Sequence, residues 1–142
     1  MADIKHMIAI KAPAEKVFPL VATGAGFSHW WAADVTESDN ETTLGFFKRA
    51  TVYRLRRERA VAPREVVWRC LSGQEWEGTR ISFQLTTNKG VTQVRFAQLD
   101  WKAETDYFTS CNTTWGELMF RLQATAEGKT QGPLFSADGM AY

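Results

Sequence analysis

The side chains most able to do chemistry in this 142-residue chain are two histidines, His6 and His29, and two cysteines, Cys70 and Cys111. A histidine works as a general base only beside a group that orients it, and no such partner stands at a recognisable spacing from either one. The four residues do not form the paired C-x-x-C or H-x-x-x-H spacing that grips a metal, so no metal site and no cofactor is expected. Cys111 becomes a nucleophile only in an electropositive setting, and the sequence shows no basic neighbour for it. Glu75 and Glu77 flank Trp76 as a carboxylate pair, but in a connecting segment, where such pairs are normally solvated. Asp34 and Asp100 have no visible partner. Neither a G-x-S-x-G elbow nor a phosphate-loop or dinucleotide fingerprint occurs. No residue is put forward as catalytic.

What the chain has in quantity is aromatic surface: six Trp and nine Phe, with a formal net charge of only +1. That balance argues against bulk attraction to nucleic acid or to an anionic membrane. The aromatics either fill a core or line a cavity within one.

The elements that must position them follow from periodicity. Ile4, His6, Ile8 and Ile10 alternate with Lys5, Met7, Ala9 and Lys11 and predict a first strand. Pro13 suits a helix start, and Ala14–Ala22 follows at helical spacing, shortened or kinked by Pro19. Phe27–Trp31 predicts a second short helix or turn. Strands are then expected from Val35, over Thr42–Phe47, Thr51–Arg59, Arg64–Leu71 and Thr79–Thr87, and over Val91–Leu99 after the Asn88-Lys89-Gly90 turn. In the last helix, expected over Asp106–Glu127, Phe108, Cys111, Trp115, Leu118 or Met119, and Leu122 step by three and four residues onto one face. Thr105 is its expected cap and Gly128 its stop. Gly116 within it costs about 1 kcal/mol relative to alanine, which suggests close backbone packing there. Meandering antiparallel strands with a helix on one face make an α+β protein.

One domain fits this length, placed at residues 1–129, with an extended or mobile tail over 130–142 on which Leu134 and Phe135 could dock. The N-terminus has no apolar run or cleavage site of a secretory signal, and no stretch approaches the ~20 apolar residues of a membrane span. A soluble cytoplasmic protein with reduced thiols is the expectation, and the glycosylation patterns at Asn40 and Asn112 are read as chance matches.

Several segments together resemble a known family. APAEKVF, GFSHWWAADV, the VVWRC…EWEGTRISFQL hairpin and the helix containing CNTTWGELMFRL resemble the START-like superfamily, in the branch of homologues of the activator of the heat-shock-protein-ninety ATPase. The likeness runs from about Ile4 to Gly128. It implies a helix-grip fold, a curved antiparallel sheet of six to seven strands wrapped on the C-terminal helix around a pocket, with two short helices after the first strand. It also implies an apolar cargo such as a lipid, hormone or polyketide, with cyclase or hydrolase activity in a minority of members. Fold likeness of this kind does not fix function.

Strand parity supplies the candidate walls. Tyr53, Trp68, Phe83 and Phe96 point inward from the sheet, and Phe108, Cys111, Trp115 and Met119 from the helix. These eight are the expected ligand-binding residues, with Tyr53, His6 and Gln98 as polar anchors and His29, Trp30 and Trp31 at the pocket entrance. The expected function is binding of a small apolar or aromatic molecule by a monomer or homodimer, without nucleic acid or membrane insertion. One alternative is a cyclase or hydrolase acting in the same pocket. The other is a protein-interaction domain using the outer sheet face, where parity places Arg54, Arg56, Arg69, Arg80 and Arg95.

Overall fold

The structure, a computed structural model, describes residues 2–129, 131–136, 139 and 140. Its strands are β1 (Ala2–Ile10), β2 (Asp34–Ser38), β3 (Glu41–Phe46), β4 (Thr51–Val61), β5 (Glu65–Ser72), β6 (Arg80–Asn88) and β7 (Val91–Trp101). The helices are α1 (Ala14–Ala22), α2 (Gly24–Phe27) and α3 (Asp106–Ala126), with a 3-10 turn at Gln74–Trp76. All seven strands form one antiparallel sheet in the order β1-β7-β6-β5-β4-β3-β2. This is an α+β helix-grip arrangement: a curved sheet with one apolar face held on a long C-terminal helix.

Alternation makes the sheet one-sided, as antiparallel sheets commonly are. Along β1, Ile4, Ile8 and Ile10 are buried while Asp3, Lys5, Met7 and Ala9 are exposed. The outer face carries the arginines expected there, and glutamates answer several of them. Arg69 and Arg80 lie 2.7 and 3.7 Å from Glu58, and Arg54 lies 3.1 Å from Glu41.

Helix α1 packs on the middle of the sheet and α2 against the edge strand β2, and the end of α1 is capped by side chains. The last carbonyls of a helix have no partner within it. Here the Leu20 carbonyl accepts from the Trp30 indole at 2.8 Å, that of Val21 from the Trp68 indole at 3.0 Å, and that of Ala22 from Arg57 Nη1 at 2.6 Å. The cation also suits the negative end of the helix dipole, and it lies 5.9 Å over the Trp68 ring. Gly26 is required where α2 meets α1: a Cβ there would stand 2.1 Å from the Pro19 carbonyl oxygen.

Helix α3 begins at Thr105, whose hydroxyl accepts from the Phe108 N–H, and ends beside Gly128 at φ +87°. Gly116 departs from expectation. A Cβ there would meet only the His6 ring, at an ordinary 3.7 Å, so no close backbone approach explains the glycine. Of the 130–142 tail, Thr130, Ala137, Asp138, Ala141 and Tyr142 lie outside the described residues. The described part is docked: Leu134 and Phe135 are buried, and their N–H groups donate to the Trp30 and Trp31 carbonyls at 3.1 and 3.0 Å.

Candidate functional site

The helix does not lie flush on the whole sheet. Between its first three turns and the β3–β4 side of the sheet is a pocket of about 180 Å³. Tyr107, Ser110, Cys111, Thr114, Trp115 and Leu118 face it from α3, a stripe with the three-and-four spacing of one helical face. Phe46 and Tyr53 face it from β3 and β4. Trp76 closes it from the 3-10 turn, Trp31 from the segment after α2, and Phe135 from the docked tail. Phe47, Ser110 and Met140 are its exposed members and mark the mouth.

The rings form a continuous wall. Trp76 stacks on Tyr53 with centroids 3.8 Å apart and on Trp115 at 5.9 Å. Trp31 lies 4.9 Å from Trp115, and Phe46 stands edge-on to Phe135 at 4.9 Å. Gly73 makes the Trp76 position possible. At φ +128°, a Cβ there would stand 2.4 Å from the Val52 carbonyl oxygen and 2.6 Å from Tyr53 Cδ1. Only a residue without a side chain lets the turn fold this closely onto β4.

Hydrogen bonds fix the polar ends of these rings. The Trp115 indole donates to Gln98 Oε1 at 2.8 Å, and Gln98 Nε2 donates in turn to Thr79 Oγ1 at 3.0 Å. The Trp76 indole donates to Cys111 Sγ at 3.4 Å. The Tyr53 and Tyr107 hydroxyls bond to each other and join the sheet to α3. Burial raises the pKa of Tyr53, and the bond from Tyr107 adds to the effect. Burial likewise raises Tyr107 and Cys111. All three are therefore neutral at physiological pH. Among the described residues, none that lines the pocket carries a charge.

The structure brings Tyr53, Cys111, Trp115 and Trp31 of the expected set to this pocket and places the others elsewhere. Trp68 sits under α1 as the cap described above, against Phe27 at 5.2 Å. Phe83 is packed between Trp30 and Phe96. Phe96 lies behind Trp115 at 4.2 Å, which screens it from the pocket. Phe108 turns the other way, edge-on to Trp101 at 5.2 Å. Met119 is buried in the core. Trp30 is fully buried and bonded to Leu20, so it forms no entrance. His29 is exposed beside Thr125 and Gly128, toward the far end of α3.

The polar anchors differ likewise. Gln98 is buried and already bonded to Trp115 and Thr79, and His6 Nε2 lies 2.9 Å from Asn112 Oδ1, outside the pocket. Cys70 and Cys111 are both free thiols. Trp76, Tyr107, Phe46, Phe47, Phe135 and Met140, which were not among the expected walls, also line the pocket. The one sequence signal for Trp76 was a glycine three residues before it, in the connection between two strands.

Among the described residues no cluster of three or more His, Cys, Asp or Glu could hold a metal ion. No described helix is long and apolar enough to cross a membrane. Larger surface grooves exist, including one of about 480 Å³ on strands β1, β6 and β7, but Lys5 and Arg95 line it and it lacks the aromatic enclosure.

The solution structure of the Aha1 dimer from Colwellia psychrerythraea is similar over 91% of this chain and 98% of its own, at 30% identity and a TM-score of 0.79. The chain belongs to the family of Aha1 homologues. Two more distant structures share the fold alone. A Bacillus halodurans protein covers 89% of this chain and 98% of its own, at 20% identity and a TM-score of 0.71. DynU16, from the dynemicin biosynthetic locus, covers 90% of this chain and 48% of its own, at 13% identity and a TM-score of 0.75. No protein-family model matches the sequence, and no curated protein matches it. For an Aha1 homologue the START-like grip is thus in place, and the aromatic pocket is its most distinctive local feature.

Proposed function

We propose that this chain binds a small apolar or aromatic molecule in the pocket between the sheet and α3. The observation that carries the reading is a concave space of about 180 Å³ walled by Trp31, Phe46, Tyr53, Trp76, Trp115 and Phe135. Mostly apolar concave walls with a few placed polar groups are the usual composition of a small-molecule site. The volume is near the ~150 Å³ of an apolar protein cavity that takes up benzene.

Binding is favoured over catalysis because the titratable groups at the pocket are two phenols and a thiol, all held protonated. A general base must accept a proton near neutral pH, and none of these does. The outer-face alternative is weakened by the glutamates that pair with Arg54, Arg69 and Arg80. As the Colwellia relative is a dimer, we propose a homodimer for this chain too, with sedimentation velocity as its check.

The test is a thermal and calorimetric titration with toluene, alongside native mass spectrometry of the purified protein. A ligand that binds only the folded state stabilises it by about 2.7 kcal/mol at a concentration of ~100 Kd. Saturable stabilisation, abolished by filling the pocket through Ser110→Trp, supports the reading. Absence of saturable toluene binding to folded protein, with no co-purified molecule, overturns it.

A further inference from the structure

We infer that the occupant is an uncharged molecule built on one aromatic ring and carrying a hydrogen-bond acceptor, which the Tyr53–Tyr107 hydroxyl pair grips. The inference rests on the small-molecule reading above and narrows it to a chemical class.

The first argument is a count of protons. Each phenol has one O–H, and a mutual bond between two hydroxyls uses one of the two. No other hydrogen bond reaches either hydroxyl among the described residues, so one phenolic proton is left to donate. Tyr53 and Tyr107 both line the pocket, with Tyr53 buried and Tyr107 half-buried. A donor in partly desolvated space is satisfied by water or by a ligand oxygen or nitrogen. Because the pair is tied at both ends, to β4 and to α3, its hydroxyls are already in place before a ligand arrives. Little ordering then opposes the new bond.

The second argument is charge. No lining residue is ionic, so an anion or cation entering the pocket would lose hydration without a counter-charge. The third is size and shape. About 180 Å³ matches the space taken by one substituted ring. The indole and phenol faces of Trp31, Tyr53, Trp76 and Trp115 offer stacked or edge-on packing to a flat ring.

The test compares three probes of similar size by isothermal titration: toluene, acetophenone and benzoate. Each is measured against the native protein and against the paired variant Tyr53→Phe with Tyr107→Phe. Removing both hydroxyls leaves no unpaired buried group, so the variant keeps the ring packing and folds. The expected result is acetophenone binding about three- to tenfold tighter than toluene, the range of one hydrogen bond. That advantage disappears in the paired variant, where the acetophenone-to-toluene affinity ratio falls to about one, and benzoate binds neither protein. Equal affinity for toluene and acetophenone, an advantage that survives in the variant, or benzoate binding as tightly as acetophenone overturns the inference while leaving the pocket reading intact. Failure of all three to bind folded native protein overturns both.

Discussion

Tyr53 and Trp76 lie face to face, with ring centroids 3.8 Å apart and planes 8° from parallel. One belongs to a strand and the other to a turn between two later strands, so the contact fixes where the turn folds back. Trp76 meets Trp115 on the same wall and donates to Cys111 on α3. The pair therefore couples the sheet, the turn and the helix at one point. It needs Gly73 at positive φ beneath it.

Gly73→Ala should cost about 2–4 kcal/mol, from left-handed backbone strain and a Cβ pressed into β4. Trp76 would shift, and the near-ultraviolet dichroism of the aromatic wall would weaken with it. Urea denaturation and that spectrum are the measurements; a variant unchanged in both would show that the turn tolerates a side chain.

Trp68→Phe should lower stability by about 1–3 kcal/mol, because the Val21 carbonyl loses its indole donor and the core loses volume. Toluene affinity should stay as in the native protein, since Trp68 does not reach the pocket. Calorimetry below the unfolding range separates the two effects.

Gly116→Ala should stabilise the protein by about 1 kcal/mol. The position is inside α3, and the added methyl meets only the His6 ring at 3.7 Å. A rise in the urea midpoint at constant slope is expected; a fall would mean that the helix has to move away from β1.

Phe135→Ala should widen the pocket on the tail side and cost about 3–5 kcal/mol. A two-ring probe such as naphthalene should then bind about tenfold tighter than to the native protein. That is the worth of ~55 Å² of extra apolar contact at ~25 cal/mol per Å². Unchanged preference for toluene would indicate that the tail segment adds nothing to the wall.

Alkaline conditions should destabilise the fold before they ionise it. Burial pushes the Cys70 thiol from 9.0 up to about 12 and raises Cys111, Tyr53 and Tyr107 as well. A group with a raised folded-state pKa stabilises fully below its unfolded value, and that contribution fades as pH climbs toward the folded one. For Cys70 the window runs from about pH 9 to about 12 and is worth at most about 4 kcal/mol. Unfolding free energy measured from pH 7 to 11 should fall above pH 9, less steeply in Cys70→Ala. Equal slopes would take Cys70 out of the account.

The sheet and α3 were legible because their residues repeat: alternation in β1 and the three-and-four step from Cys111 to Leu122 each mark a buried face. The same patterns found Tyr53, Cys111 and Trp115 in the pocket. They could not separate them from Phe83, Phe96 and Met119, which share the inward face but are covered by other core side chains. Parity says which face a residue occupies, not where the two layers part. Trp76 and Phe135 were not marked as wall residues for another reason, and Phe47, expected at the end of a strand, lies in the turn after β3. They sit in turns and in the tail, outside any period, and reach the wall only through tertiary contacts. Trp68 obeyed its parity, but its indole was taken by a helix end that no spacing rule connects to it.

The strand order carries a consequence for how the molecule is made. β1 is synthesised well before β7, the strand it pairs with in the sheet, with Ile8 opposite Val94 and Ile10 opposite Thr92. Synthesis at ~5–20 residues per second leaves that leading strand unmatched for about 4–17 s. The closing step joins two distant parts of the polypeptide, which slows the search for the native arrangement. Nascent chains stalled before β7 should therefore expose Ile4, Ile8 and Ile10 and be the species most dependent on chaperones.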